Sequence, residues 1–458
     1  MSSPGRVLDS AGHMSDASAP AAPSRAAVTF IFITVMLDML ALGVIIPVLP
    51  KLIEQFENGN TARAAEVIGV FGTSWAVMQF LASPVLGALS DRFGRRPIIL
   101  LSNLGLGLDY ILMALAPTVG WLWVGRIVSG VTSASIGTAF AYVADVTTPE
   151  NRARSYGLMG AAFGIGFIVG PALGGVLTSI SPRLPFWMSA SFSLTNFCYG
   201  MFILPESLPQ SRRGAFSWTR ANPLGSLKLL RAHPQLLRFA TIHFLYNLAH
   251  QSLATVFVLY TGYRYGWTPT DVGWALAGVG VCFAIIQAGL VGRLVAKFGE
   301  WRMLIAGLSF GATGMAIYGS APTGLILAAG IPIQSLMGFY GPSAQGLMTR
   351  RVGPTEQGKL QGALSSIMGI TGIVGPGLFT LTFSNAISTW KLWFLVGAPF
   401  LLASALLWVG VILALGVRPG SDRGQTRVRP GSDHSLIPSG SQSTEMAGKS
   451  QSSATTEV

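Results

Sequence analysis

Charge is what this sequence has least of. Only a tenth of its 458 residues are Asp, Glu, Lys or Arg, where a soluble domain carries about a quarter. Half are hydrophobic and the mean hydropathy is +0.54, which excludes an ordinary soluble protein. Cysteine is equally scarce: Cys198 and Cys282 both lie in apolar runs, so neither a disulfide framework nor a cysteine metal site is expected. The five histidines stand in no ligand spacing, which leaves no basis for a membrane-embedded metalloenzyme. No Gly-rich loop ends in Lys-Ser/Thr, so ATP is not the expected energy source. The net charge is +12, but the basic residues scatter through short loops. Nucleic acid is therefore not an expected partner.

What the chain does have is a series of apolar runs near the roughly 20 residues a helix needs to cross a bilayer. In the first half they are Val28–Pro50, Val67–Leu89, Ile98–Pro117, Trp121–Val143, Ser155–Thr178 and Phe186–Leu204. In the second they are Phe239–Gly262, Val272–Val291, Met303–Ala321, Gly324–Met348, Lys359–Ser384 and Leu392–Val417. Residues 1–27 form a polar arm and 418–458 a low-complexity tail, both expected to be disordered. The arm lacks the apolar core and cleavage site of a secretory signal. Residues 205–238 are a basic linker between bundles 28–204 and 239–417, with a short surface helix expected over Leu224–Leu237.

The stretch Gly87-Ala-Leu-Ser-Asp91-Arg92-Phe93-Gly94-Arg95-Arg96-Pro97 packs three arginines and an aspartate between two of these runs. Such short basic loops stay on the cytoplasmic side. With both termini on that side, 24 of the 30 Lys and Arg residues are cytoplasmic. Lys51, Arg63, Arg183, Arg264 and Lys391 fall outside, and Arg126 lies within a span. The stretch also has an echo. At an offset of 205 residues, Gly87, Arg92, Phe93 and Gly94 map onto Gly292, Lys297, Phe298 and Gly299. The same offset takes Pro149 to Pro354, Gly157 to Gly362, and Gly170-Pro171 to Gly375-Pro376. Two homologous halves follow, as in many transporters.

Polar groups inside a membrane are costly and persist mainly for function or pairing. Asp38 and Asp109 are the eleventh and twelfth residues of spans that start on the same side, so both sit near the midplane. Arg126, about five residues into its span from the other side, is expected several ångströms further out. It either neutralises one of the carboxylates and locks helices together, or it assists a carboxylate that cycles a proton. Asp91, with Arg92, Arg95 and Arg96, suits a charge network that breaks when the halves rock. Gly157, Gly160, Gly164, Gly166, Gly170, Gly174, Gly175 and Pro171 share one span; small residues permit close helix packing and proline bends the helix. In the second half, Asn247, His250 and Gln251 cluster on one span and Gln287 lies in the next. The amides suit a polar ligand or an interhelical hydrogen bond, and His titrates near neutrality. Phe257, Tyr260 and Trp274 could line a cavity.

On these motifs the chain resembles the major facilitator superfamily. The Gly87–Pro97 stretch is similar to its signature between helices 2 and 3. Asp38-Met-Leu-Ala-Leu-Gly43-Val-Ile-Ile-Pro47 is similar to its helix 1 motif and Gly125-Arg126-Ile-Val-Ser-Gly130 to its helix 4 motif. Gly164-Ile-Gly166-Phe-Ile-Val-Gly170-Pro171-Ala-Leu-Gly174-Gly175 resembles the helix 5 motif of its antiporters. Within that superfamily the similarity is greatest to the tetracycline–proton antiporters, over about Val28–Leu415. The resemblance implies an all-α integral membrane fold of twelve helices in two six-helix bundles. It implies a secondary carrier of a bacterial inner membrane, both termini cytoplasmic. Such a carrier is not an enzyme and exports a tetracycline-like or other amphipathic drug in exchange for protons by alternating access.

The resemblance further places Asp38, Asp109, Arg126 and His250 in proton coupling and Asn247, Gln251 and Gln287 on substrate. Gly87, Asp91, Arg92, Gly94, Arg95 and Arg96 become a conformational gate. Gly164, Gly170, Pro171 and Gly174 become a helix that seals against leak. It implies no bound cofactor and no resident metal, energy from a proton gradient, and cargo that can travel as a divalent-metal chelate. The expected partners are the small molecule, protons and lipid, with a single chain as the working unit. The family's histidine in the eighth span and aspartate in the ninth are Phe283 and Gly311 here, which leaves coupling to Asp38 and Asp109, with His250, or points to another cargo. The alternative reading is a facilitator or proton symporter for a metabolite such as a sugar or organic acid.

Overall fold

The computed structural model describes residues 25–133, 135–214, 225–227, 229–230, 233–353, 356–390 and 395–416. The arm before residue 25, the tail from 418 and residues 215–224 of the linker lie outside them. Of the stretch Leu224–Leu237, where a short surface helix is expected, residues 225–227, 229–230 and 233–237 are described: a 3-10 turn, Gly225–Leu227, helical residues 229–230, and the start of a long helix at Pro234.

Among the described residues there are helices and no strands, as a chain in lipid requires if each segment is to satisfy its own backbone groups. They run as twelve rods. The first six are α1 (Arg25–Ile45, continued past a turn by Leu49–Phe56), α2 (Thr61–Phe93), α3 (Arg95–Leu115), α4 (Val119–Thr132, then Ser135–Val146), α5 (Pro149–Ile180) and α6 (Leu184–Phe202). The last six are α7 (Pro234–Tyr265), α8 (Pro269–Ile285, a π segment Ile286–Val291, then Gly292–Phe298), α9 (Glu300–Ser320), α10 (Gly324–Ser335 and Tyr340–Thr349), α11 (Gln357–Asn385) and α12 (Ala398–Leu415). Ten are long and apolar enough to cross a membrane. The other two, α6 and α7, are 19 and 32 residues long and lie packed among their neighbours.

The helix ends follow local chemistry. The Thr268 side chain and Asp271 form a reciprocal capping box that starts α8. At the other end of the bundle, α2 stops at Gly94 and α8 stops at Gly299. The two glycines share one backbone conformation, φ 107° and ψ 161° against φ 83° and ψ 157°, in the region a side chain makes costly. The 205-residue repeat read from sequence is thus a repeat of structure.

Within the first half α1 packs on α5 and α6, α3 on α6, and α2 on α4; within the second, α7 packs on α11 and α12, and α9 on α12. The halves join along two seams, α2 against α11 and α5 against α8. Since the repeat carries α2 to α8 and α5 to α11, each seam is the other's image. Small residues allow the approach. A Cβ on Gly72 would press on Pro376 and one on Gly273 on the Pro171 carbonyl. Polar bonds sew the same seams: Thr73 donates to the Ile373 carbonyl at 3.0 Å, Thr270 to the Gly175 carbonyl at 2.8 Å, and Ser384 to the Glu66 carboxylate at 2.9 Å. These contacts lie toward the end of the molecule away from the Gly94 turn.

Candidate functional site

Asp38 lies in the middle of α1, and only 9% of it is exposed. Its partner is Asn196 of α6, whose side-chain nitrogen donates to the Asp38 carboxylate at 2.8 Å and to the Thr34 carbonyl at 2.9 Å. Nearer the start of α6, Ser189 donates to the Ala41 carbonyl at 2.8 Å, so α6 is fixed to α1 on both sides of the carboxylate. Asp109, 1% exposed on α3, faces Arg126 of α4 at 3.8 Å. Gly125 makes room for it, since a Cβ there would stand 2.5 Å from an Asp109 oxygen. The Arg126 guanidinium also touches the Met113 sulfur at 3.3 Å.

Arg126 therefore pairs with Asp109, and not several ångströms further out as the span boundaries suggested. The reason is helix length: α4 begins at Val119 and α3 ends at Leu115, which brings the two side chains level. Tyr110, the next residue of α3, is buried as well. The first half thus holds two carboxylates, a guanidinium and a phenol in its interior.

The second-half residues divide. Asn247 turns its amide back to the His243 carbonyl of its own helix at 2.8 Å. Gln251 packs on Gly375 of α11, with Gly372 and Ala76 of α2 close by, so it sits at the seam between the halves. Gln287 is half-buried in the π segment of α8. His250 is exposed and stacks on Tyr246, ring centroids 6.4 Å apart. Tyr246 stacks on Tyr340 at 3.9 Å, and Tyr340 on His243 at 6.1 Å. Phe283 touches Gly338, in the 3-10 segment Leu336–Phe339 between the two parts of α10, and Gly311 of α9 is filled by Met337, so apolar packing occupies both positions where the resemblance expected polar groups. Among the described residues no group of three or more His, Cys, Asp or Glu is placed to share a metal ion.

The basic loop is a network centred on Arg95, which bonds Asp91, Ser90 at 2.7 Å and Asp145 of α4 at 3.1 Å. Ser90 in turn donates to the Gly87 carbonyl at 2.8 Å. Arg96 donates to the Met201 carbonyl at the end of α6, and Arg92 lies over the Phe93 ring. Gly94 has Glu206 against it, and that carboxylate accepts the Arg95 backbone N–H at 2.9 Å, capping α3 from the linker. On α5 the glycines separate by role. A Cβ on Gly166, Gly170 or Gly174 would collide with Met39, Gly43 or Val44 of α1, and one on Gly175 with Pro269 of α8. Gly157, Gly160 and Gly164 have open space.

Among the participants that escaped the sequence reading are Asn196, Asp145, Glu206 and the Tyr246–Tyr340 pair. An amide within an apolar span is a signal in itself, and Asn196 carries it. The partners of Glu206 and Tyr340 lie 111 and 94 residues away, beyond the reach of periodicity.

Twelve rods in two repeated halves, with buried ionisable groups in one of them, define a membrane carrier. The chain belongs to the Major Facilitator Superfamily, a class of transporters and not of enzymes: the family model matches residues 31–376 and 239–448. It is 38% identical to the tetracycline resistance protein of class C from Escherichia coli, over 82% of this chain and 94% of that one. It is 34% identical to the class H protein from Pasteurella multocida, over 81% and 92%. The crystal structure of the nucleoside transporter NupG superposes with a TM-score of 0.70 at 12% identity, over 85% of this chain and 98% of that one, which shows the shared fold.

Proposed function

We propose that this protein is a secondary active transporter that exports a tetracycline-like or other amphipathic drug in exchange for protons. The carrying observation is the pair of buried carboxylates, Asp38 on Asn196 and Asp109 on Arg126, in a chain so similar to tetracycline resistance proteins. A carboxylate withdrawn from water holds or releases a proton according to its surroundings, and rocking of two bundles changes those surroundings. Asp38 and Asp109 are the coupling groups, Arg126 sets the charge of Asp109, and the His250–Tyr246 face with Gln251 meets the cargo. Gln287 and Asn247 stand at the margin of that site. The single chain is the working unit, and its cargo can carry a divalent metal.

The seams between the halves lie away from the Gly94 turn. With that turn cytoplasmic, as its arginines favour, this is the arrangement open to the cytoplasm, with both termini on that side of a bacterial inner membrane. Arg95 and its partners form the gate whose network rearranges on switching. The Gly166–Gly174 contact with α1 supports a sealing role for α5. Everted vesicles energised by a pH gradient test the reading. They accumulate tetracycline when divalent metal is present. Accumulation of another compound from a small panel, with no tetracycline, refutes the cargo; accumulation without proton exchange refutes the antiport.

A further inference from the structure

The amide of Asn196 is fully buried, and both its N–H bonds are committed, one to the Asp38 carboxylate and one to the Thr34 carbonyl. Its own oxygen is buried without a hydrogen-bond partner. It does not stand alone. Thr34 Oγ1 on α1, Ser193 Oγ on α6 and both side-chain polar atoms of Asn103 on α3 are likewise buried and unpartnered. Packing brings Asn103 to the level of Asn196, since Gly107 faces Leu194 and Gly200 faces Leu100 across the α3–α6 contact. A buried polar group without a partner is costly, and four side chains carrying one lie on the helices where α6 packs on α1 and on α3.

We infer that Asn196 is the positioning residue for the proton on Asp38, and that this proton moves along the α1–α3–α6 seam past Thr34, Asn103 and Ser193. The inference rests on the reading of Asp38 as a coupling group. An amide serves both states of its neighbour. It donates N–H to the ionised carboxylate, as here. When Asp38 gains a proton, turning the amide presents the free Asn196 oxygen as acceptor for the new O–H. The proton itself leaves to water at the end of the seam. Asn196 stands six residues before the end of α6 at Phe202, about 9 Å of helix from that boundary. The route runs inside the first half, apart from the α2–α11 and α5–α8 seams, so proton and cargo need not share a doorway.

Other charged and titratable groups in the interior of the first half are Asp109 and Tyr110 of α3 and Arg126 of α4, where Asp109 faces Arg126 at 3.8 Å. The second part of α4 brings Tyr142 to the packing around Ile31 and Val35 of α1. Helix α5 presents Gly166 to Met39, and α6 presents Asn196.

The test uses the purified full chain in proteoliposomes with tetracycline and Mg2+ as probe. Two rates are compared: exchange of labelled for unlabelled tetracycline without a gradient, and accumulation driven by a pH gradient. Asn196→Leu is expected to keep exchange within about twofold while accumulation falls about tenfold or more, the scale of a lost hydrogen bond to a charge. Its residual pH profile moves to more alkaline values, because the donor that favours the ionised Asp38 is gone. Asn196→Ser, which keeps a donor, recovers most of the accumulation, and Asn103→Leu shows the same split. Equal loss of both rates, or accumulation unchanged in Asn196→Leu, overturns the inference while leaving the antiport reading in place. Accumulation of tetracycline by the wild-type protein that does not depend on the pH gradient overturns both.

Discussion

Glu300 and Arg350 repeat, with their charges exchanged, the ion pair of Arg95 and Asp145. Each residue of the second pair stands 205 positions after its counterpart in the first. The distances are 2.9 Å between Arg350 Nη2 and Glu300 Oε1 and 3.1 Å between Arg95 Nε and Asp145 Oδ2. Both pairs join the helix after the Gly94 or Gly299 turn to the helix that follows it. The halves have kept the bridge and reversed its polarity, so the contact itself, and not the identity of either charge, is what the fold retains at this place.

The two bridges differ in burial, and their strengths should differ accordingly. The Arg95 side chain is 12% exposed and that of Arg350 is 63% exposed. Exposed pairs contribute about 0.2–1 kcal/mol, whereas hydrogen bonds to charged groups within a network reach about 1.5–3 kcal/mol. Thermal unfolding in detergent is expected to show a clear loss for Asp145→Asn and a small one for Glu300→Gln. A larger loss for Glu300→Gln would refute this ranking.

Asp109 and Arg126 invite a double-mutant cycle. Removing one member of a buried pair leaves an uncompensated charge and costs about 3–5 kcal/mol, while removing both is far milder. Arg126→Ala alone should lower the unfolding temperature more than Arg126→Ala with Asp109→Asn. Arg126→Ala, Asp109→Asn and the double variant should all fail to accumulate tetracycline in vesicles. Additive losses of stability would mean that the two groups do not act as a pair.

The glycines of α5 offer a contrast within one helix. Gly170 touches Gly43 backbone to backbone, whereas Gly164 has open space around it. Gly170→Val should cost about 1–3 kcal/mol by overpacking and block transport, while Gly164→Ala should leave both unchanged. Expression level, unfolding temperature and vesicle uptake report the difference. Equal tolerance at both positions would remove the close α1–α5 contact as a functional requirement.

Much of this fold was legible because a bilayer imposes long apolar runs and because the chain repeats. Gly94 and Gly299 match in sequence and in backbone geometry for one reason, a turn that only glycine makes cheaply. Asp38 and Asp109 stood out because charge is rare inside a span. Which carboxylate Arg126 meets was not legible, since the ends of helices α3 and α4 differ from the apolar boundaries that suggested its depth. Asn196 was hidden by company: Ser191, Ser193 and Thr195 beside it made one more polar residue look ordinary. The stack of Tyr246 on Tyr340 joins helices nearly a hundred residues apart, and no local pattern encodes it. Asn247 carries chemistry suited to a polar ligand, and its side-chain nitrogen donates to the His243 carbonyl of its own helix, a bond that composition does not reveal.

The central claim is that buried first-half carboxylates exchange protons for cargo, and proton movement itself tests it most directly. Everted vesicles containing the protein are acidified inside, and a pH-sensitive dye reports proton efflux when tetracycline and Mg2+ are added. The wild-type protein should release protons in proportion to tetracycline taken up, and Asp38→Asn, correctly inserted and equally abundant, should release none. Proton release by Asp38→Asn at the wild-type rate would contradict the account.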